Sequence, residues 1–416
     1  MTGRQTRVHM PCRQIKLQGV ALSLATGLWF FGAAGMPAAN SPVPTADQPA
    51  SPAPSAPAGT NAGQPKPPSA YYDSAGQRFV YLADGKLKAV ETQADWALCR
   101  KLIIRNIEEV MGPLPDASRR VPLDMKVLAT FFISPSETNL PKLVMRKISF
   151  ATETNDYREA WLLAPLGVKG PRPAMLCLHQ SNYMLKDEPA GLSGYTNFFY
   201  ARELAEQGYV TLAPDYQEYP YAEPRRPQNP YRNLGYASYM MKGVWNHMRA
   251  VDLLQSLPEV DPQRIGCIGH SLGGMNTLWV AAFDDRIKAA VISGGISTFR
   301  KPMAGGKGVA DWARELYMPR VASVYANNPD KIPFDFTGVL ACLAPRPVLI
   351  NAPTQDYISP SGARDCAEAA KTVYALFNAA DRITVLHPQT HHTFPPEVRK
   401  AFYEKLAVVL EPSKPP

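Results

Sequence analysis

Residues 264–280 read Arg-Ile-Gly-Cys-Ile-Gly-His-Ser-Leu-Gly-Gly-Met-Asn-Thr-Leu-Trp-Val. A short apolar run ends in the pattern Gly-x-Ser-x-Gly, and a helix-compatible run follows. This order predicts a nucleophile elbow, a sharp strand-to-helix turn that raises the hydroxyl of Ser271 above the edge of a sheet. Glycine at 269 and 273 suits such a turn, because a strained serine needs neighbours without a Cβ atom if strand and helix are to approach closely.

The N-terminus has the three parts of an export signal. Residues 1–39 begin with four basic and no acidic side chains, continue with an uncharged apolar run over 20–36, and end in small residues. This pattern predicts a secretory signal peptide cleaved near residue 39. An uncleaved N-terminal anchor is the alternative, although the apolar run is at the short end for a membrane span. In both cases the folded part of the chain is expected to be secreted or periplasmic, and a membrane contact is expected only if the apolar segment is kept.

A linker follows the signal. Residues 37–70 contain ten prolines and nine alanines, and such a composition buries too little apolar surface to offset the entropy of ordering. We therefore predict a disordered Pro/Ala-rich linker over 40–70 and one large catalytic domain over 71–416, which is long enough for a single α/β core.

Charge and cysteine content exclude several classes of protein. The formal net charge is +8, of which the leader contributes +4 through its four basic residues. The folded part shows no basic run or basic–aromatic ladder, so no nucleic-acid partner is expected. Of the six cysteines, Cys12 lies in the leader, and Cys177 and Cys267 lie inside apolar runs. They are expected to be small buried hydrophobes, with one disulfide left open as an alternative.

Alternation of apolar runs and helical segments predicts the fold class. Apolar positions over 93–111 have helical periodicity and stop at Gly112. Strand candidates at 125–133, 143–150 and 157–164 predict an antiparallel opening to the sheet. After residue 173, short apolar runs alternate with amphipathic segments, which is typical of a mostly parallel sheet flanked by helices. The apolar runs are 174–178, 210–213, 265–268, 289–292, 348–351 and 383–386, and the amphipathic segments between them are 197–207, 244–257, 276–282 and 364–377.

Two connections are too long for simple crossovers. Residues 215–240 are rich in Tyr, Pro and Arg, and residues 295–340 contain a predicted helical piece at 311–317. Long loops inside a domain are usually functional, so both are expected to form pocket walls, with packed surface cover as the alternative.

A serine nucleophile needs a base, and the base needs an acid that orients it. His387, His391 and His392 follow the last predicted strand, and Asp356 follows the apolar run 348–351. The order Ser271, Asp356, His is that of an α/β-hydrolase. Two alternatives stay open: an Asp after a strand is often a helix cap, and a histidine cluster can bind a metal. No cysteine or carboxylate set completes a zinc site, however, so no metal is expected.

Residues 171–416 resemble the α/β-hydrolase superfamily and are similar to its dienelactone hydrolase and acetyl xylan esterase-like branch. The resemblance rests on the elbow and on four shorter pieces, at 178–181, 212–216, 344–347 and 391–399. It implies that His392, two places before Phe394, is the base. It also implies that the backbone N–H of Leu272 forms half of an oxyanion hole, with Gln180 or Ser181 as the other half.

These observations predict a secreted serine carboxylic-ester hydrolase that needs no metal or organic cofactor. We expect a small-molecule or carbohydrate ester as substrate, with His179, Tyr216 and Tyr219 as candidate contacts. Tyrosines at 216–239 suggest stacking on sugar rings, and the alternative is that they pack the insert. Two other functions stay open: a serine peptidase of the prolyl-oligopeptidase type, and a non-catalytic binding protein on a hydrolase scaffold.

Overall fold

The computed structural model of the protein describes residues 68–133, 143–167, 170–216, 230–301, 303, 306, 308–314 and 317–411. The predicted signal peptide, nearly all of the predicted linker, and Tyr219 lie outside these ranges. The predicted linker boundary is slightly wrong, because Ala70 is already part of the first strand and is only 1% exposed.

Twelve strands and nine α-helices occur in the described residues. The strands are β1 (Ala70–Asp73), β2 (Arg78–Ala83), β3 (Lys86–Ala89), β4 (Lys126–Ile133), β5 (Leu143–Glu153), β6 (Asp156–Pro165), β7 (Arg172–Leu178), β8 (Val210–Pro214), β9 (Val260–His270), β10 (Ile287–Ser293), β11 (Val348–Asn351) and β12 (Ile383–Leu386). The helices are α1 (Gln93–Met111), α2 (Tyr200–Glu206), α3 (Pro230–Asn233), α4 (Tyr239–Ser256), α5 (Leu272–Phe283), α6 (Arg320–Ser323), α7 (Phe336–Ala341), α8 (Pro360–Ala375) and α9 (Pro396–Leu410).

Nine of the strands form one mixed sheet in the order β12-β11-β10-β9-β7-β8-β6-β5-β4. Strand β5 pairs antiparallel with both β4 and β6, and β6 also pairs antiparallel with β8. The remaining pairs, from β8 through β7, β9, β10 and β11 to β12, are all parallel. This confirms the predicted α/β-hydrolase fold, with an antiparallel opening and a mostly parallel centre. All seven residues of β7 are buried, as expected for a strand covered on both faces.

A three-stranded antiparallel sheet, β1-β2-β3, precedes helix α1 and was not predicted. It packs on α1, where the rings of Phe79 and Trp96 meet edge to face at 5.4 Å and the Tyr81 hydroxyl donates to Asp95 at 2.8 Å. β1 and β3 are only four residues long, too short for a clear alternating pattern.

The predicted helical piece at 311–317 is not an α-helix over the residues described there, 311–314 and 317. The chain there forms a 3₁₀ turn over Gly308–Asp311, continued by hydrogen bonds from Trp312 N to Val309 O at 3.0 Å and from Ala313 N to Ala310 O at 3.2 Å. These bonds span three residues rather than four, and Trp312, only 1% exposed, is fixed in the core.

The five cysteines beyond the leader are all buried and free, so the disulfide left open by the sequence does not form. The described tyrosines of the 216–239 cluster are buried as well: Tyr216, Tyr231, Tyr236 and Tyr239 are each 5% exposed or less. Packing of the insert is therefore the correct interpretation for these four. None of the helices in the described part of the chain combines the length and apolar character that a membrane span requires.

A buried ion cluster ties helix α4 to the β5–β6 hairpin. The Lys242 ammonium is fully buried and donates to Glu153 at 2.5 Å and to Asp156 at 2.7 Å. Glu153 also accepts from the Tyr236 hydroxyl at 2.5 Å and pairs with Arg119. Burial lowers the pKa of Lys242 to about 7, and the bond to Glu153 opposes that fall. Glu153 is thus the acceptor on which three donors converge.

Replacing Glu153 with glutamine is expected to lower the free energy of unfolding by about 3–5 kcal/mol, because it leaves a buried ammonium with one fewer anion. Urea denaturation gives this quantity directly. Glu404→Gln, a change at an exposed position on α9, is the matched control and should cost less than 0.5 kcal/mol. A loss below about 1 kcal/mol for Glu153→Gln would contradict the assigned role.

Candidate active site

Ser271 occupies the turn between β9 and α5, at the carboxyl edge of the sheet. β9 ends at His270, α5 begins at Leu272, and Ser271 between them has φ 55° and ψ −120°. A non-glycine residue in this region is strained and needs support from its surroundings. Support comes from two backbone hydrogen bonds, Ser271 N to Ser293 O at 2.7 Å and Met275 N to Ser271 O at 3.0 Å.

The glycine of the motif at position 273 is required by close packing. A Cβ atom added at Gly273 would lie 1.9 Å from the carbonyl oxygen of Leu178 and 2.8 Å from that of His179. No real Cβ approaches an oxygen so closely, so only glycine lets α5 start directly against the end of β7. The same contact brings the segment after β7 beside the first turn of α5.

Asp356 and His392 form a hydrogen-bonded pair. Nδ1 of His392 lies 2.8 Å from Oδ1 and 2.9 Å from Oδ2 of Asp356. The Asp356 side chain is 1% exposed, and Oδ1 also accepts from Ile358 N at 2.9 Å. Gly294, with φ 57°, makes room for the pair, since a Cβ there would lie 2.8 Å from Cε1 of His392. A buried carboxylate at Nδ1 fixes the imidazole tautomer that carries its proton on Nδ1 and leaves Nε2 free to accept one.

A second histidine, His270, packs against the His392 ring of this pair. The ring of His270 lies 4.4 Å from that of His392 and stacks on Phe198 at 4.6 Å. Its Nδ1 is 2.8 Å from the hydroxyl of Ser293, which also accepts from Asn351 at 2.8 Å. Burial, and then the neighbouring His392, lowers the pKa of His270 well below its usual value. His270 is therefore neutral at physiological pH and adds no positive charge beside His392.

Leu272, Gln180 and Ser181 are the candidates for an oxyanion hole. Leu272 is the first residue of α5, where backbone N–H groups have no partner inside the helix. The segment 179–181 lies against this turn through the Gly273 contact described above. Gln180 is held there by its own side chain, whose Nε2 donates to Glu188 at 2.8 Å, whereas Ser181 is exposed. Of the two residues considered for the second amide, Gln180 is the better fixed.

His179 and Tyr216 do not reach a ligand site, which corrects the expectation that they contact substrate. Their side chains are 1% and 4% exposed and stack on each other at 3.9 Å. The Tyr216 hydroxyl donates to the carbonyl of His179 at 2.6 Å, and Nδ1 of His179 lies 2.8 Å from the carbonyl oxygen of Gln180. Both side chains hold the segment 179–181 in place from inside.

The other two histidines near the last strand do not join the site. Nδ1 of His387 is bonded to the carbonyl of Ala352 at 2.8 Å, and His391 is exposed. Across the described ranges, no three metal-ligating side chains come together.

A cavity of about 220 Å³ opens at Ser271. One side is formed by the elbow and by Tyr357 and Ile358, which follow the acid. The other comes from the insert 295–340, as predicted for a pocket wall: Met303, Gly306, Asp311, Arg314 and Tyr317. Arg314 donates to the buried carboxylate of Asp311 at 2.6 Å. The cavity thus joins an apolar floor to a polar wall.

Tyr357 is the site residue that the sequence did not single out. Its hydroxyl is 3.2 Å from Nε2 of His392, and its ring lies 4.4 Å from the imidazole. The only signal for it in the sequence is its position directly after Asp356.

Two family models match parts of the chain. The model described as "Acetyl xylan esterase (AXE1)" matches residues 124–301, and the one described as "Glucuronyl esterase, fungi" matches residues 229–378. Both spans contain Ser271, and the second also contains Asp356.

Similar proteins include hydrolases and esterases. The "Putative hydrolase YtaP" of Bacillus subtilis is 25% identical over 296 residues, which are 69% of this chain and 92% of YtaP. The "4-O-methyl-glucuronoyl methylesterase 1" of Wolfiporia cocos is 30% identical over 159 residues, 35% of this chain and only 39% of that enzyme. Among solved structures, a glucuronoyl esterase from Solibacter usitatus superposes with a TM-score of 0.60 at 18% identity, covering 79% of this chain and 96% of that one. At this identity the likeness shows the fold alone.

Proposed function

We propose that Ser271, His392 and Asp356 are the catalytic triad of this chain, a serine carboxylic-ester hydrolase with the α/β-hydrolase fold that is similar to the acetyl xylan and glucuronoyl esterases. The observation that carries the proposal is the Asp356–His392 pair beside a strained serine. The carboxylate fixes one tautomer of His392, and the elbow presents Ser271 at the mouth of the cavity on the same edge of the sheet.

The reaction then has two halves. Ser271 Oγ attacks the ester carbonyl while Nε2 of His392 takes the hydroxyl proton, and Asp356 stabilises the imidazolium that results. His392 returns this proton to the departing alcohol oxygen, leaving an acyl-enzyme. Water, deprotonated by His392, attacks the acyl carbon and releases the acid, and the proton goes back to Ser271.

The backbone amides of Leu272 and Gln180 would stabilise the negative oxygen of each tetrahedral intermediate. Fixed donors of this kind need no reorganisation during the reaction, and the loss of one costs about 100- to 1,000-fold in rate. Support for the assignment comes from the tight contact of Gly273 with the end of β7 and from the stacked pair His179–Tyr216 behind Gln180.

We propose that the substrate is a carbohydrate ester and that the protein is exported from the cytoplasm. The names of the similar proteins refer to esters of xylan and of glucuronic acid. The N-terminal segment has the pattern of a secretory signal peptide, and polysaccharides lie outside the cytoplasm. The polar wall at Asp311 and Arg314 offers hydrogen-bonding groups of the kind that hold sugar hydroxyls.

A fluorophosphonate probe tests the catalytic proposal, because it reacts covalently with an activated serine. We expect stoichiometric labelling at Ser271. A panel of acetylated xylan, methyl esters of glucuronic acid, p-nitrophenyl acetate and p-nitroanilide peptides then separates esterase from peptidase activity. Turnover of the anilides above the esters would favour the peptidase, and absence of labelling would favour a non-catalytic binding protein.

A further inference from the structure

Tyr357 makes contacts that the triad reaction does not need. It follows the acid Asp356, and its hydroxyl lies 3.2 Å from Nε2 of His392. It also lines the cavity that Ser271 lines. One phenol oxygen is therefore bonded to the base, and its ring lies in the cavity of the nucleophile.

The direction of the Tyr357–His392 bond follows from the tautomer. Nδ1 of His392 faces two carboxylate oxygens, so it carries the ring proton. In neutral imidazole, Nε2 is then an acceptor with a single lone pair. The Tyr357 hydroxyl donates to it, and burial raises the pKa of Tyr357, which keeps the hydroxyl protonated at neutral pH.

This donation competes with catalysis. The lone pair that Tyr357 engages is the one that must take the proton of Ser271, and it cannot accept both hydrogen bonds in good geometry. An oxygen that lies near both Nε2 of His392 and Oγ of Ser271 also has the position of the departing alcohol oxygen in the first half-reaction. The attacking water has the same position in the second half-reaction. In the free enzyme, the Tyr357 hydroxyl takes the Nε2 side of that position.

We propose that Tyr357 is a positioning residue that holds the leaving-group site in the free enzyme and is displaced when the substrate's alcohol oxygen enters. This inference rests on the proposed triad. Displacement is sterically feasible, since 43% of the surface of Tyr357 is exposed. The cost is one hydrogen bond to a neutral partner.

Among the described residues, Asp356 lies at Nδ1 of His392, neutral His270 lies beside the ring, and Arg314 lines the same cavity as Tyr357. Replacing the Tyr357 hydroxyl therefore changes one contact of Nε2 and leaves the charged neighbours in place.

Tyr357→Phe tests the proposal, because it removes the hydroxyl and keeps the ring. We expect kcat/KM for a small ester and the rate of fluorophosphonate labelling to rise by about 3- to 10-fold, the factor that one ordinary hydrogen bond is worth. We also expect the acid limb of the kcat/KM profile to move to higher pH. A donor to neutral Nε2 favours the unprotonated imidazole, and the variant loses that donor.

The matched control is Tyr157→Phe, which also removes one hydroxyl bond, to Asp124 at 3.3 Å, on an exposed part of β6. It should leave both rates and the pH profile unchanged. Tyr357→Ala, which also removes the ring, should favour esters of bulky alcohols further. A tenfold fall in kcat for Tyr357→Phe with an unchanged melting temperature would mean that the hydroxyl assists the reaction. Unchanged rates and an unchanged pH profile would mean that the hydroxyl neither assists the reaction nor competes with it. Both results overturn the proposal, whereas failure to label the wild-type enzyme at Ser271 would overturn the triad on which it rests.

Discussion

Replacing Ser271 with alanine is expected to lower kcat for p-nitrophenyl acetate by about 10⁵- to 10⁶-fold and to abolish fluorophosphonate labelling. The size follows from the way triad residues act as one unit: without the nucleophile, only binding and oxyanion stabilisation remain. Folding should be unaffected, because the elbow is held by backbone bonds of residue 271 rather than by its hydroxyl. Steady-state kinetics at a high enzyme concentration, which makes the residual rate detectable, measure the change.

Ser323→Ala is the matched control, since Ser323 is exposed on α6. It should retain wild-type kcat and labelling. If Ser271→Ala keeps more than about 1% of the activity with the same melting temperature as the control, Ser271 is not the nucleophile, because removal of a nucleophile costs far more than 100-fold.

Asp356→Asn has the second-largest expected effect, a fall in kcat of about 10⁴-fold. Asparagine has the same shape, and its oxygen still accepts from the amide of Ile358, so the loop should keep its fold. Its amide nitrogen, however, donates toward Nδ1 of His392 and thereby selects the tautomer with the proton on Nε2. In that tautomer Nε2 cannot accept the proton of Ser271.

The matched control is Asp381→Asn at an exposed position before β12, which should not change kcat. Circular dichroism and melting temperature establish that both variants are folded. A fall of less than tenfold for Asp356→Asn would show that Asp356 does not orient the base; it could not return the helix-cap interpretation, since Ser359 caps α8.

Much of the sheet could be predicted because buried parallel strands need continuous apolar runs. The runs at 348–351 and 383–386 coincide with β11 and β12, and helix α1 spans the predicted 93–111. The short strands β1 and β3 carry no comparable signal. The expected helix at 311–317 failed because tertiary packing of Trp312, not local periodicity, sets the turn there.

The candidate site divides in the same way. Ser271 is marked by the local elbow pattern, and Asp356 and His392 follow from chain order and from resemblance to a family. Tyr357 has no marker beyond its place after Asp356, since its importance lies in a 3.2 Å contact with a residue 35 positions away.

By itself, the sequence determined what depends on neighbouring residues: the strained turn at Ser271, the apolar strands that lead to it, and the order of acid and base. Tertiary structure alone decided which side chains reach the cavity. It buried the side chains of His179 and Tyr216 and placed the Tyr357 hydroxyl next to Nε2 of His392. The physical reason is that accessibility and hydrogen-bond distance depend on how distant segments pack, and a one-dimensional pattern records neither.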